Sequence, residues 1–413
     1  MSEASNDAPV TLPAAEPADV YLHVGAMNSG ASYLQSVLRT NWQALAEGGV
    51  LWPKGVAAGA VDALGRKPNR RIKESEGEWS RVVDQIGAWE GRAAVLSQEF
   101  LCGASAEEAQ HVVDSLRGHR LTVIITVPDL TRAIPSHWQT VIKGDKGWSF
   151  PEYMQTVLSD VEEESPQGPR AGFWRHHDVS RILQVWAHIV GVDHVVVVTA
   201  PPSDVPGGLL WQRFASVLSL DPAAYDQAPD VNADASLGYA ETELLRQVNV
   251  KVRRALSPVE YRRLVTNYLA NQLLAAAPRS EGAGTDRPQL TPEARDRLVA
   301  RADQIAQEVE GSGARVVGTL DDLRVPSPRS PVLREKDSRP ADTVPATATH
   351  VVAELVLRIA ELERELAGAD GSARADSPTP ERRRRKRAAA DAEVESRREA
   401  RAARRRARQA RQD

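Results

Sequence analysis

The chain has 413 residues, of which 42% are hydrophobic and 26% charged, and its formal net charge is −4. This apolar content can fill a sizeable core, so a wholly disordered or fibrous chain is excluded. The charge is unevenly spread: residues 381–413 hold fourteen Arg and Lys against six Asp and Glu, a net +8, which leaves −12 for residues 1–380. Only the last segment is therefore basic, and the chain as a whole is not a polycation.

Cys102 is the single cysteine of the chain, which excludes an intrachain disulfide and a cysteine-based zinc site. The longest strongly apolar run, near residues 195–200, is far shorter than a membrane span. Residues 1–19 have neither the basic nor the apolar region of a secretory signal. These features predict a soluble protein of the reducing cytoplasm.

Residues 1–18 are rich in Ala, Pro and acidic residues and predict a flexible leader, and residues 19–325 predict the main domain. Within that domain, short apolar runs alternate with segments of helical periodicity. The predicted strands are 20–24, 93–97, 121–127 and 194–199, and the predicted helices are 30–45, 105–116, 129–143, 149–158, 179–190 and 209–218. This alternation implies crossover connections and an α/β fold, with a P-loop-type parallel sheet flanked by helices.

The C-terminal third predicts a helical extension of that domain. Residues 237–310 have helical periodicity throughout, interrupted at Pro258 and in the Gly- and Pro-rich stretch 278–288. Residues 326–349 predict a linker. In residues 350–367, apolar side chains follow steps of three and four that predict a short coiled-coil-like helix: Val352, Leu355, Ile359, Leu362 and Leu366. Such a helix favours self-association.

Residues 368–413 form an Arg-rich tail, which ends the predicted organisation of the chain. The tail has no aromatic residue to stack on nucleic-acid bases, and its acidic residues dilute its positive field. A solvated or self-associating tail is one interpretation, and contact with an anionic partner is the other.

Two glycines five positions apart follow the first predicted strand and precede the first predicted helix. Gly25 and Gly30 let the backbone wrap an anion, and the N–H groups and dipole of the following helix favour phosphate or sulfate there. The spacing resembles the Walker A loop, in which a lysine reaches the nucleotide phosphates. Ala31 stands at the lysine position, which argues against an ATP or GTP hydrolase or a nucleotide kinase. A turn without a ligand remains the alternative.

The same segment resembles the bacterial, actinobacterial-type sulfotransferase-like family, with degenerate motifs for the donor 3′-phosphoadenosine-5′-phosphosulfate (PAPS). His23-Val-Gly25, Met27-Asn-Ser-Gly30-Ala-Ser32 and Leu34-Gln35 are similar to the family's His-x-Gly, Pro-Lys-Thr-Gly-Thr-Ser/Thr and Leu-Gln. The family also has a strand that ends in an Arg, followed eight residues later by a Ser. Here the strand 121–127 leads to Pro128, with Ser136 eight residues further on. The resemblance covers roughly residues 19–250.

The resemblance implies that the chain binds PAPS without a metal and transfers its sulfuryl group to a hydroxyl or amine acceptor. The residues that it implies for PAPS are Gly25, Asn28, Ser29, Gly30, Ala31, Ser32, Arg132 and Ser136. In this sequence Asn28 replaces the loop lysine, Ala31 replaces a threonine, and Pro128 replaces the 3′-phosphate arginine. Arg132, one helical turn beyond Pro128, is the substitute cation. These losses make a catalytically inactive relative, acting as a scaffold or binding protein, the alternative prediction.

Three residues are the candidates for the transfer chemistry. Glu99 follows the strand 93–97 and is the predicted base that takes the acceptor's proton. His23 is the second candidate base, with a hydrogen-bonded core histidine as the alternative. Asn28 can donate a hydrogen bond to the departing group but brings no charge. His176 and His177 are interpreted as packing residues rather than metal ligands.

Overall fold

Six parallel strands form the centre of the computed structural model, which describes residues 18–66, 75–160, 168–202, 208–227, 237–275, 288, 290–324 and 346–375. The strand order is β2-β3-β1-β4-β5-β6. The strands are β1 Asp19–His23, β2 Val50–Leu51, β3 Ala93–Ser97, β4 Arg120–Val127, β5 Val195–Thr199 and β6 Arg315–Val317. All five neighbouring pairs are parallel, and the four central strands are mostly buried and rich in Val, Ile and Ala, as strands covered on both faces are. The predicted α/β fold class is confirmed.

Helices connect the strands and flank the sheet. Their bounds are α1 Ala31–Thr40, α2 Trp42–Glu47, α3 Val56–Ala63, α4 Glu78–Gly87, α5 Ala106–Ser115, α6 Leu130–Lys143, α7 Phe150–Val157, α8 Pro169–His177, α9 Val179–Val190 and α10 Leu209–Val217. The C-terminal helices are α11 Tyr239–Val252, α12 Pro258–Glu260, which continues as a π-helix over Tyr261–Leu274, α13 Pro292–Ser312 and α14 Ala346–Ala375. Short 3-10 turns cover Glu99–Gly103, Val192–His194, Pro222–Ala224 and Leu320–Leu323.

Differences from the predicted elements have local causes. The predicted helix 30–45 is two helices, because the chain turns at Asn41, whose amide donates to the Val37 carbonyl at 2.8 Å. The edge strands β2 and β6 have two and three residues, too few to produce a periodic pattern. Residues 1–17, most of the predicted linker and residues 376–413 of the tail lie outside the described part of the chain.

The site is positioned by the middle of the sheet. β1 lies between β3 and β4, and His23, its last residue, pairs with Ser97 of β3 and Ile124 of β4. The carboxyl ends of parallel strands share one edge, which is where α/β folds bind ligands. The loop after β1 therefore leaves the sheet at its centre.

Two helices pack together on one face of the sheet and carry the loop. Leu34 and Leu38 of α1 share a buried cluster with Leu210 and Trp211 of α10 and with Val198 of β5. Trp211 is fully buried, and its indole N–H donates to the Pro222 carbonyl at 3.2 Å. The first turn of α1 is thereby fixed against α10.

The chain divides into two compact units, residues 1–353 and 354–413. The second begins within α14, where Leu355, Ile359 and Leu362 are exposed. None of the helices that the structure describes has both the length and the apolar character needed to cross a membrane.

Candidate functional site

The loop between β1 and α1 has three residues in the left-handed region. The φ angles of Gly25, Asn28 and Gly30 are +56°, +60° and +94°. Glycine adopts such angles without strain, and asparagine is among the few other residues that tolerate them. Gly30 is the N-cap of α1. The loop is consequently a tight turn that ends at the positive end of a helix dipole.

The two halves of the loop differ in their backbone hydrogen bonds. The N–H groups of Val24 and Ala26 donate to Ile124 and Thr126 of β4 at 3.0 and 2.7 Å, which holds the first half on the sheet. Met27 N–H donates to the His176 carbonyl of α8 at 3.2 Å. Across the described residues, the N–H groups of residues 28–30 donate to no backbone carbonyl. Unpaired amides that lead into a helix are typical of an anion-binding nest.

Leu210 of α10 occupies the space that a side chain at position 30 would need. A Cβ at this position would lie 2.4 Å from Leu210 Cδ2 on α10. A Cβ on Gly25 would lie 3.3 Å from Thr126 Oγ1, which is closer than an ordinary van der Waals contact. The glycine at position 30 thus serves the approach of α10 to the loop in addition to the turn itself.

Ser29 is turned toward the sheet and is only 1% exposed. Its hydroxyl donates to the Ala26 carbonyl at 2.6 Å and lies 2.5 Å from Thr126 Oγ1. Both contacts occupy the hydroxyl. Of the groups of Ser29, only the backbone N–H is therefore left for the predicted contact with PAPS. Ala31 is also buried, whereas Ser32, in the first turn of α1, is partly exposed.

Asn28 is the exposed residue of the loop and contacts α8. Its Oδ1 lies 3.3 Å from Nε2 of His177, which is 1% exposed and stacked on Phe173 with ring centroids 4.2 Å apart. Nδ1 of His177 donates to the Phe173 carbonyl at 2.9 Å, so Nε2 of the neutral ring carries no proton and its approach to Asn28 Oδ1 is a packing contact. Burial lowers the pKa of His177 to about 3. His177 thus packs behind Asn28 as a neutral ring, and no cation stands at the loop position of Asn28.

Glu99 is connected to α1. It begins the 3-10 turn after β3 and is partly exposed. The Gln35 amide nitrogen lies 3.2 Å from Glu99 Oε2 and 3.3 Å from Ser97 Oγ. One side chain of α1 thus holds the carboxylate at the sheet edge from which the loop departs.

His23, the last residue of β1, is fully buried and contacts the two neighbouring strands. Its Nδ1 lies 2.8 Å from Ser97 Oγ, and its Nε2 lies 2.9 Å from Thr126 Oγ1. Burial lowers its pKa to about 3. With both ring nitrogens occupied and no exposed surface, His23 cannot take a proton from an acceptor in solvent, which favours the core-histidine alternative over the predicted base.

The two residues predicted for the 3′-phosphate lie on α6. Arg132 is 40% exposed at its side chain, donates to the Pro201 carbonyl at 3.0 Å and lies 4.0 Å from Asp129. Ser136, one turn further along, is partly exposed. Pro128 is buried directly before Asp129, the N-cap of α6. A cation at Arg132 thus exists, with a carboxylate beside it.

Sequence reasoning missed Thr126 as a member of the site and gave Gln35 no chemical role. Thr126 is the one polar residue in the buried end of β4, and a hydroxyl in the otherwise apolar run 123–127 is the signal that was available. Cys102 is buried, and burial raises its thiol pKa to about 12, so its thiol is inert. Within the described ranges, no three His, Cys, Asp or Glu side chains are grouped to hold a metal ion.

Replacing Gly30 by alanine should destabilise the protein more than the same change at Gly118. The φ of Gly118 is +97°, close to that of Gly30, but a Cβ there meets nothing within 4 Å. We expect Gly118→Ala to cost about 1–2 kcal/mol for the backbone alone and Gly30→Ala about 1–3 kcal/mol more for overpacking. Urea unfolding measures both values. Equal losses would contradict the role of Leu210.

Three histidines with lowered pKa values predict a loss of stability in acid. Burial lowers the pKa values of His23, His176 and His177 to about 3, 4 and 3, whereas unfolded histidine titrates near 6.5. The unfolded chain binds more protons below pH ~6.5, so the stability is complete above that pH and is lost as pH falls toward the folded values.

At pH 5 each of these histidines should cost about 2 kcal/mol. His177→Gln should therefore reduce the loss of unfolding free energy between pH 7 and pH 5, measured with urea. His188→Gln, at an exposed position of α9, is the control. An unchanged pH dependence in His177→Gln would refute the assignment of a neutral buried ring.

Comparisons with known proteins find a similar solved structure. No protein-family model matches the chain, and no curated protein sequence matches it. A solved structure, the crystal structure of a sulfotransferase from Alicyclobacillus acidocaldarius, is similar with a TM-score of 0.37 and 14% identity, over 70% of this chain and 94% of that chain. Likeness at this level does not identify chemistry, so the functional proposal rests on the loop and the residues around it.

Proposed function

We propose that the chain is a PAPS-dependent sulfotransferase, which moves a sulfuryl group from PAPS to a hydroxyl or amine acceptor. The observation that carries this proposal is that one helix, α1, follows the anion nest and also holds a nearby carboxylate through Gln35. The amides of residues 28–30 lead into α1, and Gln35 of the same helix holds Glu99. Group transfer from an anionic donor requires these two elements close together: donors for the anion and a base for the acceptor.

PAPS would find hydrogen-bond donors at both of its anionic ends in this site, but no lysine beside its sulfuryl group. The amides of residues 28–30 and the Ser32 hydroxyl would hold the 5′ anionic end, and Arg132 with Ser136 would hold the 3′-phosphate. Bound PAPS supplies an activated sulfuryl group on a nucleotide leaving group. The Asn28 amide donates a neutral hydrogen bond, which stabilises developing charge less than a lysine would.

Glu99 has the role of base in this proposal. Its carboxylate is an acceptor for the proton of an incoming hydroxyl or amine, and it is partly exposed, so an acceptor reaches it from solvent. Gln35 orients the carboxylate by a hydrogen bond to Oε2. Ser97, which Gln35 also contacts, ties this arrangement to the end of β3.

A catalytically inactive relative is the second candidate, and a specific observation favours it. Asn28 and Ala31 remove side-chain donors from the loop, and Pro128 is buried where the family's arginine would stand. Such a protein would act as a scaffold. Its partner surfaces would be the exposed apolar side chains of α14, through self-association of 350–367, and the Arg-rich tail, through an anionic partner.

Calorimetry with 3′-phosphoadenosine-5′-phosphate (PAP), the desulfated donor, tests the binding step. Asn28 is exposed, so Asn28→Lys restores the family cation outside the core, although the φ of +60° at this position costs lysine about 1–2 kcal/mol of stability. We expect wild-type protein to bind PAP below about 1 mM and Asn28→Lys to bind about tenfold more tightly, since a charge-assisted hydrogen bond adds about 1.5 kcal/mol. Gln110→Lys, which adds the same charge at an exposed position of α5, should change nothing. Absence of binding by both wild type and Asn28→Lys would end the proposal.

Replacing Glu99 by glutamine separates chemistry from binding. PAP affinity should stay within about twofold, while release of PAP from PAPS with hydroxyl and amine acceptors falls roughly 100-fold or more, the usual contribution of a general base. Glu107→Gln, on the exposed first turn of α5, is the matched control. Binding of PAP without turnover in wild type would instead support the inactive relative, and turnover that survives in Glu99→Gln would remove Glu99 as the base.

A further inference from the structure

The hydroxyl of Ser29 begins a chain of buried hydrogen bonds whose proton positions can be deduced. The Ala26 carbonyl can only accept, so the single Ser29 proton lies on that contact of 2.6 Å. Thr126 Oγ1, 2.5 Å from Ser29 Oγ, must then be the donor of the second contact. The single hydroxyl proton of Thr126 therefore lies on its contact with Ser29.

The next contact fixes the tautomer of His23. Its Nε2 lies 2.9 Å from Thr126 Oγ1, whose proton already faces Ser29, so Nε2–H must donate. The opposite tautomer would require the single Thr126 proton on His23, which would leave the 2.5 Å contact to Ser29 without a proton. Burial keeps the ring neutral, so Nδ1 accepts from the Ser97 hydroxyl at 2.8 Å. Ser97 in turn accepts from Gln35 at 3.3 Å.

Only one placement of the protons gives every contact in this chain of hydrogen bonds a donor and an acceptor. The chain runs from Gln35 on α1, through Ser97 on β3, His23 on β1 and Thr126 on β4, to Ser29 and Ala26 in the loop. Its three strand members are buried, and each lies at or next to the last residue of its strand. A buried chain that is fully satisfied rigidifies the groups it joins.

We infer that His23, as the neutral Nε2–H tautomer, is a positioning residue that holds Ser29 inward and fixes the shape of the loop 25–30. With Ser29 held on Thr126 and Ala26, the backbone turns at Asn28 and Gly30, and the amides of residues 28–30 are presented as a set. The role of this shape in donor binding rests on the proposed function, whereas the tautomer and the loop shape do not.

The tautomer is tested directly by NMR of protein labelled with ¹⁵N-histidine, with the His23 signals assigned by their loss in His23→Gln. We expect Nδ1 unprotonated and Nε2 protonated, without change between pH 8 and pH 5. An Nδ1–H tautomer, or titration near the ordinary histidine pKa, would overturn the inference.

The loop shape is tested through Thr126. Thr126→Val keeps the shape of the side chain and removes the hydroxyl, and Thr126→Ser keeps the hydroxyl. We expect Thr126→Val to speed hydrogen exchange of the two hydrogen-bonded loop amides, those of Ala26 and Met27, about tenfold, and Thr126→Ser to restore the slow exchange. Thr199→Val is the matched control, because Thr199 is equally buried at the end of β5 but donates to Asp322. Equal acceleration by the Thr199 and Thr126 valine variants would refute the role of the chain.

PAP affinity then separates the two hypotheses. If wild type binds PAP, Thr126→Val should weaken binding about tenfold relative to Thr199→Val, with Thr126→Ser close to wild type. If wild type does not bind PAP, the proposed function fails, and the tautomer and the exchange rates still decide the inference. Unchanged PAP affinity in a Thr126→Val protein with accelerated loop exchange would show that the loop shape does not serve donor binding.

Discussion

The hydrogen bonds of His23 join the ends of three strands, and the site is built on that junction. An imidazole buried without partners would cost several kcal/mol, so both of its nitrogens must be satisfied within the core. Ser97 and Thr126 satisfy them from the two neighbouring strands. Thr126 also forms a hydrogen bond with Ser29. The hydrogen bonds that satisfy the buried His23 ring therefore also hold the loop that follows β1.

In the proposed function, a loop held in this way would bind the donor's anionic group through backbone amides instead of cations. Amides and a helix dipole supply partial charges that need no counterion when the site is empty. A lysine or arginine would supply a stronger attraction and a larger stabilisation of developing negative charge. Under the proposed function, the neutral Asn28 and the partly engaged Arg132 predict weak binding of the donor, whether the chain is an active enzyme or a scaffold.

Packing behind the loop constrains it in addition to its own hydrogen bonds. Leu210 occupies the space that a side chain at Gly30 would need, and Phe214, one turn along α10, lies with its ring edge against His23 at a centroid distance of 5.1 Å. On the other side, the His176 carbonyl binds Met27 N–H. The loop is therefore held by the sheet, by α10 and by α8. Among the described residues, these contacts leave the N–H groups of residues 28–30 without a backbone acceptor.

Periodicity in the sequence determined the elements, because burial of one face or of a whole strand leaves a local pattern. The strand 93–97 and the helix 179–190 were predicted with their observed bounds, and the two glycines of the loop lie close enough in sequence to be found as a motif. The inward turn of Ser29, the burial of His23 and the link from Gln35 to Glu99 were decided only in the folded chain. His23 and Thr126 are 103 residues apart, and strand register, which no local pattern encodes, brings their polar atoms within 2.9 Å.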